Sequence, residues 1–197
     1  MNYYYVYSES FDPCELVEKW YAPVSRTWLC KRCKRPKPGT GPLIVQVKKK
    51  TVRRIPLNRI FDGLLVASAD FVELLSPELL AQIDLGNLLD ERGKQIPGYY
   101  TVRAQKEIII RGRVNIFWKK CPCCGRFLYY SDGKHFLCPE PPSEYFVLGS
   151  KLRGLVFPES VFNTMKMKLM QMDWVVVEKL RVEFPPKDGL PIDLSTM

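Results

Sequence analysis

Apolar and polar residues alternate in several short runs along the chain. Such runs cover residues 43–48 and 179–184, residues 99–110 also read as a strand, and an aromatic run covers residues 3–7. A period of two residues places alternate side chains on one face of a strand, which is typical of sheets with one buried face. The pattern therefore predicts a protein with a large strand content.

Helical spacing of apolar residues is confined to shorter segments. Residues 12–20 predict a short helix with Asp12 as its N-cap. Ser68 begins a second helix, which Pro77 interrupts, and Pro158 begins a third. With more strand than helix, the 197 residues predict an α+β fold of mixed or antiparallel sheets with a few short helices. The length suits a single domain spanning residues 1–197.

A strand–helix pattern occurs twice. A shift of 90 positions places Leu65 on Leu155, Val66 on Val156 and Leu79 on Leu169. Both segments read as a short buried strand followed directly by a helix. The identities are few, so the pattern indicates a shared strand–helix plan and leaves open whether the two halves are a true repeat.

Seven cysteines include two Cys-x-x-Cys pairs. No apolar run is long enough to span a membrane and no secretory signal is visible, so we expect a cytoplasmic protein with reduced thiols. Two such pairs predict one structural zinc ion, in a zinc-ribbon-like module formed by about residues 26–42 and 114–142. Cys123, Cys138 and His135 are alternative ligands. The predicted ligands are Cys30, Cys33, Cys121 and Cys124.

Positive charge is concentrated in residues 31–54. That segment holds ten of the 30 Lys and Arg residues and no acid, so it carries +10, and the rest of the chain sums to −1. Clustered basic residues are typical of surfaces that bind nucleic acid or acidic partners. The part that we expect to contact a partner comprises Lys48, Lys49, Lys50, Arg53 and Arg54.

Signatures of catalysis are missing from the sequence. It has no phosphate-binding glycine loop, no nucleophile elbow and no zincin helix, and its one histidine lacks an identifiable orienting partner. Four thiolates would also leave zinc no open position for water. We therefore expect a protein that is not an enzyme.

We call the two Cys-x-x-Cys turns, Cys30–Cys33 and Cys121–Cys124, the first and second knuckle. Together with the segments Leu64–Phe71 and Gly154–Phe157, they resemble the double-CXXCG-motif family of bacteria. That family is similar in pattern to immunity proteins of polymorphic toxin systems. Followed by Gly125, the second knuckle has the full CXXCG form, whereas the first has Lys34 at the glycine position. The resemblance implies a non-enzymatic protein that binds and neutralises a cognate toxin.

Two other functions remain open at the level of sequence. One is a nucleic-acid-binding zinc-ribbon protein, which the basic segment favours, although few aromatic residues interleave with residues 48–54. The other is a structural subunit of a larger assembly. If the protein is an inhibitor, a +10 segment is a poor mimic of nucleic acid, so we expect a toxin with an acidic face. No membrane partner is expected.

Overall fold

A computed structural model describes residues 2–9, 12–34, 37, 43–60, 64–105, 107–108, 118–124, 127–129, 147–149 and 154–180. Within these residues the chain combines two five-stranded sheets, one two-stranded sheet and a few short helices. The predicted α+β class is confirmed, as are mixed sheets and short helices. The predicted single domain and the extent of its zinc-ribbon-like module stay predictions.

Sheet 1 has the order β12-β1-β11-β10-β7. All its pairs are antiparallel except β10 with β7. The position of β1 between β12 and β11 places the first described residues between strands that lie more than a hundred residues later. Its strands are β1 (Tyr3–Ser8), β7 (Glu107–Ile108), β10 (Val147–Gly149), β11 (Gly154–Pro158) and β12 (Val175–Leu180).

Sheet 2 has the order β2-β5-β6-β4-β3 and is antiparallel except for the pair β2 and β5. Asp84 and Arg103 face each other across β5 and β6 and form an ion pair of 2.5 Å. The sequence pattern did not predict β5. The strands are β2 (Val45–Gln46), β3 (Leu57–Arg59), β4 (Leu65–Ser68), β5 (Ile83–Leu89) and β6 (Gln95–Ala104).

Four α-helices are described: α1 (Glu18–Trp28), α2 (Ala69–Val72), α3 (Pro77–Leu80) and α4 (Glu159–Leu169). The side chains of Ser68 and Ser76 accept hydrogen bonds from backbone N–H groups in the first turns of α2 and α3, so the predicted helix is indeed divided at Pro77. The predicted helix over residues 12–20 was wrong. Residues 14 and 16 form isolated bridges to residues 60 and 47, each directly after a strand, and the helix begins only at Glu18.

The strand–helix plan repeats in three dimensions. Sheet 2 contains the spatial order β3-β4-β6-β5, and in the sequence α2 and α3 connect β4 to β5. Sheet 1 contains the spatial order β10-β11-β1-β12, and in the sequence α4 connects β11 to β12. In each case an antiparallel strand separates the two strands that the helical segment connects. That middle strand is β6 in one unit and the sequence-distant β1 in the other.

Two hydrophobic clusters position the candidate site. The larger joins both sheets and contains residues such as Leu65, Phe71, Leu155 and Phe157. The second lies on the opposite face of sheet 2, where Val66 and Leu88 pack with residues of α1. Trp28 at the end of α1 belongs to this second cluster. Its packing fixes the position of the backbone directly before the first cysteine pair.

Candidate metal centre

Two knuckles supply the cysteines of the candidate site. The first follows α1: residues 31–33 form a turn, and the Lys34 N–H donates to the Cys30 carbonyl at 2.9 Å. The second, residues 122–124, lies between β8 (Trp118–Lys120) and β9 (Phe127–Tyr129), which pair as an antiparallel hairpin. A helix end and a hairpin turn are thus brought together from distant parts of the sequence.

The four predicted cysteines meet. The sulfur atoms of Cys30, Cys33, Cys121 and Cys124 all lie within 4.8 Å of one another. Sγ of Cys30 is 3.7 Å from that of Cys121, and Sγ of Cys33 is 3.8 Å from that of Cys124. These separations are far longer than the ~2.05 Å of a disulfide, and none of the four cysteines forms one. Such a group could hold a metal ion.

Backbone amides favour the thiolate form of two of these cysteines. The N–H groups of Cys33 and Arg32 donate to the Cys30 sulfur and lower its pKa from 9.0 to about 6. Burial acts to raise the pKa of Cys121, but the N–H groups of Cys123 and Cys124 donate to its sulfur and the net effect lowers it. A site that favours thiolates before any ion arrives suits a metal, because thiolate is the form that binds metals.

The alternative ligands divide into two groups. Cys123 is exposed and is not among the four clustered sulfurs, although its thiol interacts with Cys30, which raises the pKa of Cys123. Cys138 and His135 lie outside the described residues. Cys14 is not among the four clustered sulfurs, and burial raises the pKa of its thiol from 9.0 to about 12.

The predicted basic partner surface is partly neutralised. Lys48 forms an ion pair with Glu15 and Arg53 forms one with Asp12, each at 2.5 Å. Lys49, Lys50 and Arg54 are exposed and form no ion pair within the described ranges. The segment therefore presents less uncompensated charge than its composition indicated.

A second surface feature was not singled out by the sequence analysis. Met167 on the outer side of α4, Met170 at its C-terminal cap and Trp174 just beyond it are 75%, 62% and 62% exposed. The helical spacing of the sequence could have indicated their exposure, because these methionines fall outside the buried stripe of Phe162 and Met165.

The comparisons with known proteins add no assignment. No protein-family model and no curated protein matches the chain. Within the described residues, no helix is both long enough and apolar enough to cross a membrane.

Proposed function

We propose that Cys30, Cys33, Cys121 and Cys124 hold one structural zinc ion. The observation that carries this proposal is the spacing of the sulfur atoms. Zinc–thiolate bonds of ~2.3 Å in a tetrahedron give sulfur–sulfur edges of about 3.8 Å. Two of the six sulfur separations are 3.7 and 3.8 Å, and all six are within 4.8 Å. Four thiolates complete the coordination shell, so the ion would tie the two knuckles together and would offer no position for a reacting water.

Elemental analysis of protein purified without added metal tests the site. We expect about one zinc per chain, and we expect a chelator to remove it together with a large part of the stability, because metal binding is coupled to folding. A folded protein with almost no zinc would contradict the proposal. Cobalt substitution provides a second measurement, since tetrahedral thiolate ligation gives a characteristic visible spectrum that Cys124→Ser should alter and Cys14→Ser should not.

We further propose that the protein acts by binding another protein, as an immunity-type inhibitor of a cognate toxin with an acidic face. The exposed surface of α4 supports this function. Met167, Met170 and Trp174 are side chains of the kind enriched at protein interfaces. Lys166 and Lys168 lie on the same helix, and residues 160–172 contain no acid. An apolar surface flanked by lysines is complementary to an apolar patch with an acidic rim.

The experiment begins with the native partner. The protein is purified from its own cells, the proteins that copurify are identified, and the affinity of each is measured with the variant Trp174→Ala. Loss of a large exposed aromatic anchor should weaken the toxin complex by about tenfold or more. Ile44→Ala is the matched control, because Ile44 is also a large exposed hydrophobic residue but lies next to β2. Equal effects of the two substitutions would contradict this interface.

Nucleic-acid binding is the second candidate function, and the exposed Lys49, Lys50 and Arg54 favour it. Phosphate binding falls steeply with salt concentration. A labelled random-sequence duplex and a single strand, titrated at increasing salt, would separate the two functions. We expect weak binding near physiological salt, because ion pairs already engage Lys48 and Arg53. Submicromolar binding that persists there would favour the nucleic-acid function instead.

A further inference from the structure

A cavity of about 370 Å³ lies away from the metal centre. One wall comes from the loop that includes Arg54, the start of α2 with Asp70, and Tyr99 of β6. The other wall is the turn between α4 and β12, which supplies Met172 and Asp173. The cavity therefore lies where the two strand–helix units meet, and its volume is in the usual range for small-molecule sites, ~300–1,000 Å³.

The charged residues of this cavity are of both signs and are unpaired. Arg54, Asp70 and Asp173 make no ion pair within the part of the chain that the structure describes. The neighbouring Arg53, by contrast, pairs with Asp12. A guanidinium and two carboxylates thus line one volume while each retains its hydrogen-bonding capacity.

Tyr99 shows that these opposite charges are close together. Burial raises the pKa of its phenol, the positive charge of Arg54 opposes this shift, and the negative charge of Asp70 adds to it. Both groups line the same cavity as this ring. The Tyr99 hydroxyl donates to the Arg53 carbonyl at 3.2 Å, so the ring is held in place beside the cavity.

The opposite wall is also held in place. Trp174, directly after Asp173, has a φ of +66°, in the left-handed region that side chains other than glycine rarely adopt. Its carbonyl accepts a hydrogen bond of 2.9 Å from the Glu9 N–H. Backbone strain of this kind persists only where surrounding contacts impose it, and it is common at ligand sites. The turn therefore keeps Asp173 at a defined position.

We propose that this cavity binds a small zwitterion of the α-amino acid class. The ligand carboxylate would bind the planar fork of the Arg54 guanidinium, and the ligand ammonium would bind the carboxylates of Asp70 and Asp173. Tyr99 and Met172 supply aromatic and apolar surface for the remainder of the ligand. A ligand with only one charge would engage only one of the two sets of protein charges. This proposal does not rest on the proposed zinc or partner-binding functions, although Arg54 also belongs to the basic segment and Asp173 precedes Trp174.

The first experiment uses the whole zinc-loaded protein and titrates each of the twenty standard amino acids by calorimetry. For each amino acid that binds, its carboxamide and its N-acetyl derivative are titrated as well. We expect at least one amino acid to bind, and we expect removal of either charge to weaken binding by about tenfold or more. If no amino acid binds, or if the carboxamide binds as tightly as the acid, the proposal is wrong.

Variants then assign each charge to its partner. Arg54→Gln should bring the affinities of the acid and its carboxamide together, because the group that distinguishes them is gone. Asp70→Asn combined with Asp173→Asn should do the same for the amino acid and its N-acetyl derivative. Lys50→Gln and Glu73→Gln are exposed, charge-matched controls that should leave both ratios unchanged. Controls that change the ratios as strongly as Arg54→Gln would overturn the assignment, and melting temperatures verify that each variant is folded.

Discussion

Lys34 has a φ of +58°, the left-handed conformation that favours glycine. It follows Cys33 in the first knuckle, at the position where the second knuckle has Gly125. The first knuckle therefore forms this turn with an unfavourable residue, at a cost of about 1–2 kcal/mol. Despite this cost the first knuckle keeps a geometry in which two backbone N–H groups donate to the Cys30 sulfur.

At this scale we expect Cys124→Ser to destabilise the protein far more than Cys14→Ser. Loss of Cys124 would remove a metal ligand, and metal-binding energy is folding energy. Cys14 makes only long sulfur contacts, 3.6 Å to the Thr51 carbonyl and 3.7 Å to Asn58 Oδ1, and its loss should cost about 1–2 kcal/mol. Thermal melts of both variants in zinc-containing buffer measure the difference. Equal shifts would show that Cys124 is not a ligand.

Cys14 also predicts a loss of stability in alkali. Its pKa is raised from 9.0 to about 12 in the folded protein. In that pH window the unfolded chain gives up the thiol proton while the folded chain keeps it, so stability falls as pH rises, by about 1.4 kcal/mol per unit. Denaturant midpoints over this range should therefore fall less for Cys14→Ala than for the unaltered protein. Parallel pH profiles would contradict the assignment.

At the scale of elements, close backbone approach fixes the centre of sheet 1. A Cβ added to Gly154 in β11 would overlap the carbonyl oxygen of Val6 in β1 and lie 2.7 Å from the Tyr7 Cβ. Gly154 and Tyr7 are direct partners across these strands. Only glycine fits this crossing, which explains a residue that otherwise weakens a strand.

Gly154→Ala should therefore destabilise the protein by about 3 kcal/mol, because backbone atoms, unlike side-chain tips, move little to relieve overlap. Gly98→Ala is the matched control. Gly98 has a φ of +76° but nothing within 4 Å of an added Cβ, so its replacement should cost only about 1 kcal/mol of backbone strain. Urea denaturation measures both variants. A smaller loss for Gly154→Ala than for Gly98→Ala would mean that the strands separate easily here.

Local signals explain which elements the sequence could predict. The serines before α2 and α3 and the proline at the start of α3 act within one turn, and both helices were predicted. Asp12 and Pro13 gave the same kind of signal, but tertiary pairing prevailed: Cys14 bridges to Ile60 and Leu16 bridges to Val47. The strand β5 was missed because its exposed and buried residues do not alternate regularly.

At the scale of the whole molecule, cysteine spacing predicted a site that secondary structure could not. Cys30 and Cys121 are 91 residues apart. The only indication in the sequence that they meet was that a structural metal ion needs four ligands. The cavity with Arg54, Tyr99 and Asp173 gave no such signal, since its residues come from separate segments with no shared motif. Ion pairing of Lys48 and Arg53 was equally invisible, because their acidic partners lie outside the basic segment.

Charge placement gives a prediction at this scale. Replacing Lys49 and Lys50 with Glu should slow association with an acidic partner protein and leave its dissociation rate nearly unchanged, because exposed charges act mainly by steering. Stopped-flow association rates at several salt concentrations measure the effect. Replacing Lys19 and Lys94, two exposed lysines outside residues 31–54, with Glu is the control for net charge. If this control slowed association equally, net charge alone would explain the effect, and residues 48–54 would not be the surface that steers the partner.

The insertion of β1 between β11 and β12 has a consequence for how the protein is made. A ribosome that has produced β1 needs roughly ten to thirty seconds more to produce its two neighbours. During that time the segment Tyr3–Ser8, aromatic and without charge, has no partner strand in its own chain. Segments of this composition readily pair with other chains. The nascent protein would thus depend on shielding by chaperones until late in translation, and slow synthesis or overproduction should increase its aggregation before it affects the finished fold.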